Sequence, residues 1–318
     1  MKIRLIEPLG VSNDLLDQYR EILSSRGHDF KYYNDKAKDL EEQKKRISDA
    51  DIIMIASSPL PGEAFKDNPN LKYINVAFTG FDHIDLDEAH NKGIKISNAS
   101  GYSNTSVKEL VLGMVLNIYR KISSGNIATR EQKTHEDYYV GTELKGKTVG
   151  ILGTGSIGIE VAKLFLALGC NVVAYNRSEK EELINYGVTY MSLDDVYRHS
   201  DIITIHLPLN KKTRGLVNKS SFKKMKPSAV LINCARGPII NNDDLADTLN
   251  NNQIAYAGVD VFDMEPPIPA DYPLLKAKNT LLTPHIAYLT KESMIKRARI
   301  AFDNLISYLD GNPKNIIN

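Results

Sequence analysis

Arg236, Glu265 and His285 each follow closely on an apolar run of β type. Val230–Asn233 leads into Cys234-Ala235-Arg236-Gly237, Ala257–Val261 into Phe262-Asp263-Met264-Glu265-Pro266, and Thr280–Leu282 into Thr283-Pro284-His285. Together these side chains suit proton movement beside a carbonyl. Histidine has an unperturbed pKa of about 6.5, so it can release or take a proton near neutrality. A neighbouring carboxylate stabilises imidazolium and fixes which ring nitrogen faces a ligand. A guanidinium can hold a substrate carboxylate and polarise a carbonyl. The set fits hydride transfer to a 2-oxo acid, in which negative charge grows on the carbonyl oxygen and an acid must protonate it. In the reverse direction the neutral imidazole takes the hydroxyl proton. Singly, each residue reads as an ordinary loop residue. Their placement after three successive runs sets them apart, because ligands of open α/β sheets bind outside the carboxyl ends of the strands.

Something must hold a hydride donor at that edge. Val149-Gly150-Ile151-Leu152 runs into Gly153-Thr154-Gly155-Ser156-Ile157-Gly158, a G-x-G-x-x-G spacing followed by a helical pattern and a second strand, Asn171–Tyr175. In such a frame the first glycine makes a tight turn, the second lets the backbone approach a pyrophosphate, and the third lets helix and strand pack closely. The unpaired N–H groups of the first helical turn bind the anion. The usual acidic partner of the ribose hydroxyls is absent from the end of the second strand, which reads Tyr175-Asn176-Arg177-Ser178. Asn176 does not repel a phosphate, Arg177 can pair with a 2′-phosphate, and Ser178 can donate to it. These residues predict a preference for NADP(H), with NAD(H) still possible. The plainer reading of this stretch is a solvated turn whose arginine touches no ligand.

The elements around these residues alternate between strand and helix. Ile3–Ile6, Ile52–Ile55, Tyr73–Val76 and Ile94–Ser97 read as strands, with helices near Asn13–Arg26 and Ile84–Asn91. Thr105–Lys121 is a long helical run, and Thr134–Gly146 a loop. A second series then has strands at Thr148–Leu152, Asn171–Tyr175, Ile202–His206, Val230–Asn233, Ala257–Val261 and Thr280–Leu282, with a final helix at Lys291–Leu309. Near-continuous apolar strands joined by helices imply parallel sheets covered on both faces, so the class is α/β with two doubly wound domains.

At 318 residues the chain can hold two cores. Its net charge of +1 and mixed charges give no basic face for nucleic acid or an anionic membrane. The cluster Lys44-Lys45-Arg46 after Glu41-Glu42 reads as an exposed helix face. No apolar run reaches the ~20 residues of a membrane helix, and the N-terminus reads as a strand and not a signal peptide. Cys170 and Cys234 lack metal spacing and read as buried thiols of a reducing compartment, which points to the cytoplasm and to no metal.

Several of these stretches, taken in order, resemble the D-isomer-specific 2-hydroxyacid dehydrogenases over nearly the whole chain. The resemblance rests on Gly153-x-Gly155-x-x-Gly158, His206-Leu207-Pro208-Leu209 with Thr213, Asn233-Cys234-Ala235-Arg236-Gly237, Gly258-Val259-Asp260-Val261-Phe262 with Glu265-Pro266, and Thr283-Pro284-His285-Ile286. It implies a Rossmann dinucleotide-binding domain (101–287) inserted into a flavodoxin-like substrate domain (1–100), to which the C-terminal helix (288–318) returns. The active site would lie in the cleft between them. Arg236, Glu265 and His285 would be catalytic. His206, Leu207, Pro208, Thr213, Cys234, Ala235 and Asp260 would join the glycine motif and Asn176–Ser178 around the cofactor. The loop Val76–Asp85 resembles the family's substrate loop, pointing to Phe78, Thr79 and Gly80; Ser57 and Ser58 lie in the other loop that faces substrate. A homodimer built on the helix near Thr105–Lys121 is also implied, although that apolar face serves equally well as a core face.

Four features depart from the family pattern: Asn176 for an acid, Lys108 for a small residue, Tyr288-Leu289 where small residues are common, and Phe78, an aromatic that hints at an apolar substrate side chain. Few basic residues flank the substrate loops, which argues against a phosphorylated substrate, and no additional C-terminal regulatory domain is expected. The leading expectation is an NADP(H)-preferring reductase of small 2-oxo acids giving D-2-hydroxy acids. A dinucleotide-sensing binding protein of corepressor type, without turnover, is the alternative from another class. An enzyme with a permanently bound cofactor is a third reading.

Overall fold

Runs of Ile, Val and Leu form two parallel sheets in the computed structural model, which describes residues 1–133 and 139–318. Part of the expected loop Thr134–Gly146 (134–138) lies outside the described residues. The chain divides into one unit of Met1–Ser103 with Leu289–Asn318 and a second of Asn104–Tyr288.

In the first unit the strands are β1 (Lys2–Leu5), β2 (Asp29–Tyr32), β3 (Ile52–Ile55), β4 (Tyr73–Val76) and β5 (Lys95–Asn98). Their order is β2-β1-β3-β4-β5, parallel throughout, which is the flavodoxin-like order. Every residue of β3 and β4 is buried, as a sheet covered on both faces requires. The C-terminal helix Lys291–Leu309 starts at Thr290, whose side chain accepts the Ser293 N–H. It lays Ala298, Ala301, Phe302 and Leu305 into the core with Ile3, Leu5 and Phe30. Buried Asn75 ties sheet to helix by donating to the Ala301 carbonyl at 2.7 Å.

Two expectations change here. The edge strand β2 was not anticipated, because among Asp29-Phe30-Lys31-Tyr32 only Phe30 is fully buried. The helix Leu40–Ile47 does not expose all of its basic cluster. Arg46 is 3% exposed, donates to the carbonyls of Ile6 and Asp35, and lies over the Tyr33 ring at 4.4 Å.

The second unit carries β6 (Thr148–Leu152), β7 (Asn171–Tyr175), β8 (Thr189–Tyr190), β9 (Ile202–Ile205), β10 (Val230–Asn233), β11 (Tyr256–Val259) and β12 (Thr280–Leu282). The order β12-β11-β10-β9-β6-β7-β8 is the Rossmann order with one further strand, and all pairs are parallel. Strand order reverses between β6 and β9. The helix Asn104–Arg120 buries Val107, Val111, Met114, Val115 and Ile118 in this unit's core, so its apolar face is a core face. Lys108 has a structural reason: its ammonium pairs at 2.8 Å with Glu160 on the helix Ser156–Ala167. A further helix, Ile122–Arg130, follows Lys121, which takes a left-handed φ of +52°. Among the described residues no helix is long and apolar enough to cross a membrane.

Candidate active site

At the end of β6, Gly153 turns with φ +98°, and a Cβ there would stand 2.8 Å from the His206 carbonyl oxygen. A Cβ on Gly158 would overlap the Gly153 carbonyl oxygen, so helix and strand approach as only glycine permits. Gly155 is the N-cap of the helix Ser156–Ala167, no side chain caps it, and a Cβ there would meet no atom within 4 Å. The helical ladder begins with the Ile159 N–H bonding the Gly155 carbonyl, so the amides of Ser156, Ile157 and Gly158 precede it at the positive end of the helix dipole. These residues fit the pyrophosphate of a dinucleotide.

The adjoining turn is braced from within. Buried Thr154 donates its N–H to Asn176 Oδ1 at 3.4 Å, and its hydroxyl accepts from Tyr190 of β8 at 3.0 Å. Asn176 Nδ2 donates to the Ser178 carbonyl at 2.8 Å. Asn176 is therefore committed to the turn that displays exposed Arg177 and Ser178 beyond β7. Tyr190 lies 36 residues from Thr154, and sequence reading gave no sign of the contact.

Beyond β9, His206 bonds Thr204 Oγ1 through Nε2 at 3.0 Å. Desolvation pushes its pKa down to about 3, so it is a neutral group beside the glycine turn. Leu207 and Pro208 follow, and Thr213 donates to the Pro208 carbonyl at 2.6 Å, closing that loop. Beyond β10, fully buried Asn233 accepts the Ala235 N–H and donates to the Arg236 carbonyl, both at 3.0 Å. Burial raises the Cys234 thiol well above its ordinary range, with the charge of Asp260 adding to the effect. The Arg236 guanidinium donates through Nη1 to the Ala235 carbonyl at 2.8 Å. A Cβ on Gly237 would overlap the Phe262 carbonyl, so the β10 and β11 exits touch and bring the Arg236 segment beside that of Glu265.

Asp260, beyond β11, is fully buried and spans the gap to the β12 exit. Its Oδ1 accepts from the Thr283 hydroxyl at 2.6 Å and the Ile286 N–H at 2.9 Å, and its Oδ2 accepts the Ala287 N–H at 2.8 Å. Its carbonyl accepts the His285 N–H at 2.8 Å. Burial raises its carboxyl, and the bonds from Thr283, Ile286 and Ala287 pull the other way. This frame holds His285 at φ +56°, an uncommon backbone for a residue other than glycine. The imidazole Nδ1 lies 2.7 Å from Glu265 Oε2. An ionised carboxylate only accepts, so with Glu265 ionised Nδ1 carries the proton of this bond. The imidazole is 12% exposed and Glu265 56%. The Tyr288 ring stands edge-on to it, with centroids 5.1 Å apart.

In the first unit, Ser57 and Ser58 follow β3 while Phe78, Thr79 and Gly80 follow β4, so adjacent parallel strands bring them to one sheet edge. Phe78 is 5% exposed, edge-on to His83 and tilted against Tyr102. These ring contacts give it a packing role in the first unit. The Thr79 carbonyl accepts from Asn98 Nδ2 at 2.7 Å. Sequence reading missed Glu7 here, a 2% exposed carboxylate bonded to Ala56 and Ser58.

A family model described as D-isomer specific 2-hydroxyacid dehydrogenase, NAD binding domain, matches residues 112–287. A hydroxypyruvate reductase of Blautia hydrogenotrophica is 39% identical over 286 residues, 88% of each chain. An acyclic imino acid reductase solved with NADPH and D-Arg superposes with a TM-score of 0.91 at 28% identity, covering all of both chains. A D-lactate dehydrogenase of Aquifex aeolicus, solved with NAD and lactic acid, gives a TM-score of 0.87 at 27% identity over 98% of this chain and 96% of that one. The chain belongs to the D-isomer-specific 2-hydroxyacid dehydrogenase family. It is a nicotinamide-dependent enzyme of that class.

Proposed function

We propose that this enzyme reduces small 2-oxo acids to D-2-hydroxy acids, prefers NADP(H), and uses His285, Glu265 and Arg236 for the chemistry. The observation that carries the reading is the 2.7 Å contact of His285 Nδ1 with Glu265 on a backbone pinned by Asp260. The nicotinamide supplies the hydride when bound. His285 delivers a proton from Nε2 to the substrate carbonyl oxygen and in reverse takes it back. Glu265 holds the ring and stabilises imidazolium, and Arg236 binds the substrate carboxylate. The amides of Ser156, Ile157 and Gly158 bind the pyrophosphate, with Gly153, Thr154, Gly155, His206, Leu207, Pro208, Thr213, Cys234, Ala235 and Asp260 shaping that edge. The amides around Thr79 and Gly80, with Ser57 and Ser58, face the substrate.

The absence of a carboxylate at Asn176-Arg177-Ser178 favours the 2′-phosphate form. One structural neighbour was solved with NADPH and another with NAD, so the preference rests on these three residues. The enzyme acts in the cytoplasm, a reading supported by two free, buried cysteines. It works as a homodimer; Ile122, Ile127 and Val140, apolar and 55–72% exposed, support this in place of the helix before them. A spectrophotometric screen of glyoxylate, hydroxypyruvate, pyruvate and longer 2-oxo acids with NADPH and NADH tests the whole reading. Turnover with the higher kcat/KM for NADPH is expected. Saturable cofactor binding with no turnover on any acid would replace it with the sensor reading.

A further inference from the structure

We propose that Tyr190 is a positioning residue for the adenosine end of the cofactor: its hydroxyl pins the turn that follows β7 and so presets Arg177 and Ser178 for a 2′-phosphate. This role rests on the reading above, in which those two residues favour NADP(H). All the residues involved lie in the second unit.

The turn stands directly against the glycine loop. β6 and β7 pair up to Leu152 and Tyr175, and the Gly153 N–H then bonds the Tyr175 carbonyl at 2.8 Å. One residue further, the Thr154 N–H bonds Asn176 Oδ1 at 3.4 Å. In a doubly wound sheet the adenosine ribose lies at the ends of these two strands, with the pyrophosphate on the helix that follows the first. A 2′-phosphate therefore falls to the residues just past Tyr175.

Those residues are held by polar tethers. Arg177, Ser178, Glu179 and Lys180 are all exposed, so core packing does not order them. At the start of the turn, Asn176 accepts from Thr154 and donates through Nδ2 to the Ser178 carbonyl at 2.8 Å. At its far end, the Lys180 N–H donates to the Tyr190 hydroxyl at 3.1 Å. That hydroxyl in turn donates its one proton to Thr154 Oγ1 at 3.0 Å. Fully buried Thr154 thus anchors both ends, Asn176 through its N–H and Lys180 through the phenol between them. Tyr190 is itself fixed, because it pairs with Ala174 in the β7–β8 register and packs against the core that holds Val149 and Val172. A turn ordered before its ligand arrives loses less conformational entropy on binding. A cofactor without the 2′-phosphate does not engage Arg177 and Ser178, and gains little from their order.

Tyr190→Phe removes the hydroxyl and keeps the ring in its register. The readout is calorimetric binding of 2′,5′-ADP and of 5′-AMP, which share the adenosine and the 5′-phosphate and differ in the 2′-phosphate; neither requires a substrate or turnover. The preference for 2′,5′-ADP, taken as the ratio of the two Kd values, is expected to fall about 5-fold, the effect of one neutral hydrogen bond. In an Arg177→Ala background the same change should move the ratio far less, because the group being positioned is gone. An unchanged ratio in Tyr190→Phe would overturn the proposal, as would a full-strength effect without Arg177. An equal loss on both ligands would also overturn it, leaving Tyr190 a brace of the glycine loop alone. A wild type that binds 2′,5′-ADP no better than 5′-AMP would overturn the NADP(H) reading itself, a result distinct from a wild type with the preference and a variant that keeps it.

Discussion

The two sheets present different kinds of chemistry at their carboxyl edges. The edge beyond β10, β11 and β12 carries an arginine, a glutamate and a histidine, with buried Asp260 and Asn233 bracing the backbone beneath them. The edge beyond β1, β3 and β4 carries serines, a threonine and a glycine, and its one deeply buried acid, Glu7, is turned inward on the loop. A group that must gain or lose a proton needs a partner and access. A group that only selects shape and hydrogen-bond polarity needs a rigid backbone. Charges at the first edge should therefore govern rate.

His285→Ala should have the largest effect, lowering kcat about 100-fold or more with little loss of cofactor affinity. Near-normal turnover in that variant would erase the distinction between the edges. Arg236→Ala should raise KM for the oxo acid and lower kcat, together costing about 10- to 100-fold in kcat/KM, the scale of a charge-assisted bond. If both constants stay put, the substrate carboxylate is anchored elsewhere. Arg177→Ala should raise KM for NADPH about 10-fold with a far smaller change for NADH. Equal changes with both cofactors would remove the phosphate contact.

His206 sharpens the contrast within one sheet, because it is a histidine that does not titrate near neutrality. Its folded pKa of about 3 lies below the ordinary 6.5. Below pH 6.5 the unfolded chain takes up a proton that the folded chain refuses, so stability falls as pH is lowered toward 3. The slope should approach about 1.4 kcal/mol per pH unit, and His206→Asn should flatten it in urea unfolding between pH 6.5 and 4.5. An identical slope in the variant would assign the acid sensitivity to other groups.

The strands and the glycine turn were readable because their signals are local: apolar runs, periodicity, and three glycines at fixed spacing. The same locality exposed the joint placement of Arg236, Glu265 and His285 after neighbouring strands. What stayed hidden depends on distant partners. Glu7 reads as an ordinary acid until residues 49 and 51 positions away are brought to it. Arg46 sits in a run of exposed charges, yet its partners include a carbonyl 40 residues back. β2 and β8 were missed because one is an edge strand and the other spans two residues. The break before Ile122–Arg130 occurs at Lys121, a left-handed residue that is not glycine and so leaves no mark.

Glu265 and His285 are proposed to act as one unit in proton transfer. A double-mutant cycle on kcat/KM for reduction, using Glu265→Gln, His285→Ala and the double variant, tests it most directly. The glutamate variant alone should cost about 10-fold or more, because a neutral amide cannot stabilise imidazolium, and the double variant should be no slower than His285→Ala alone. Costs that multiply, each variant acting at full strength in the absence of the other residue, would contradict the account.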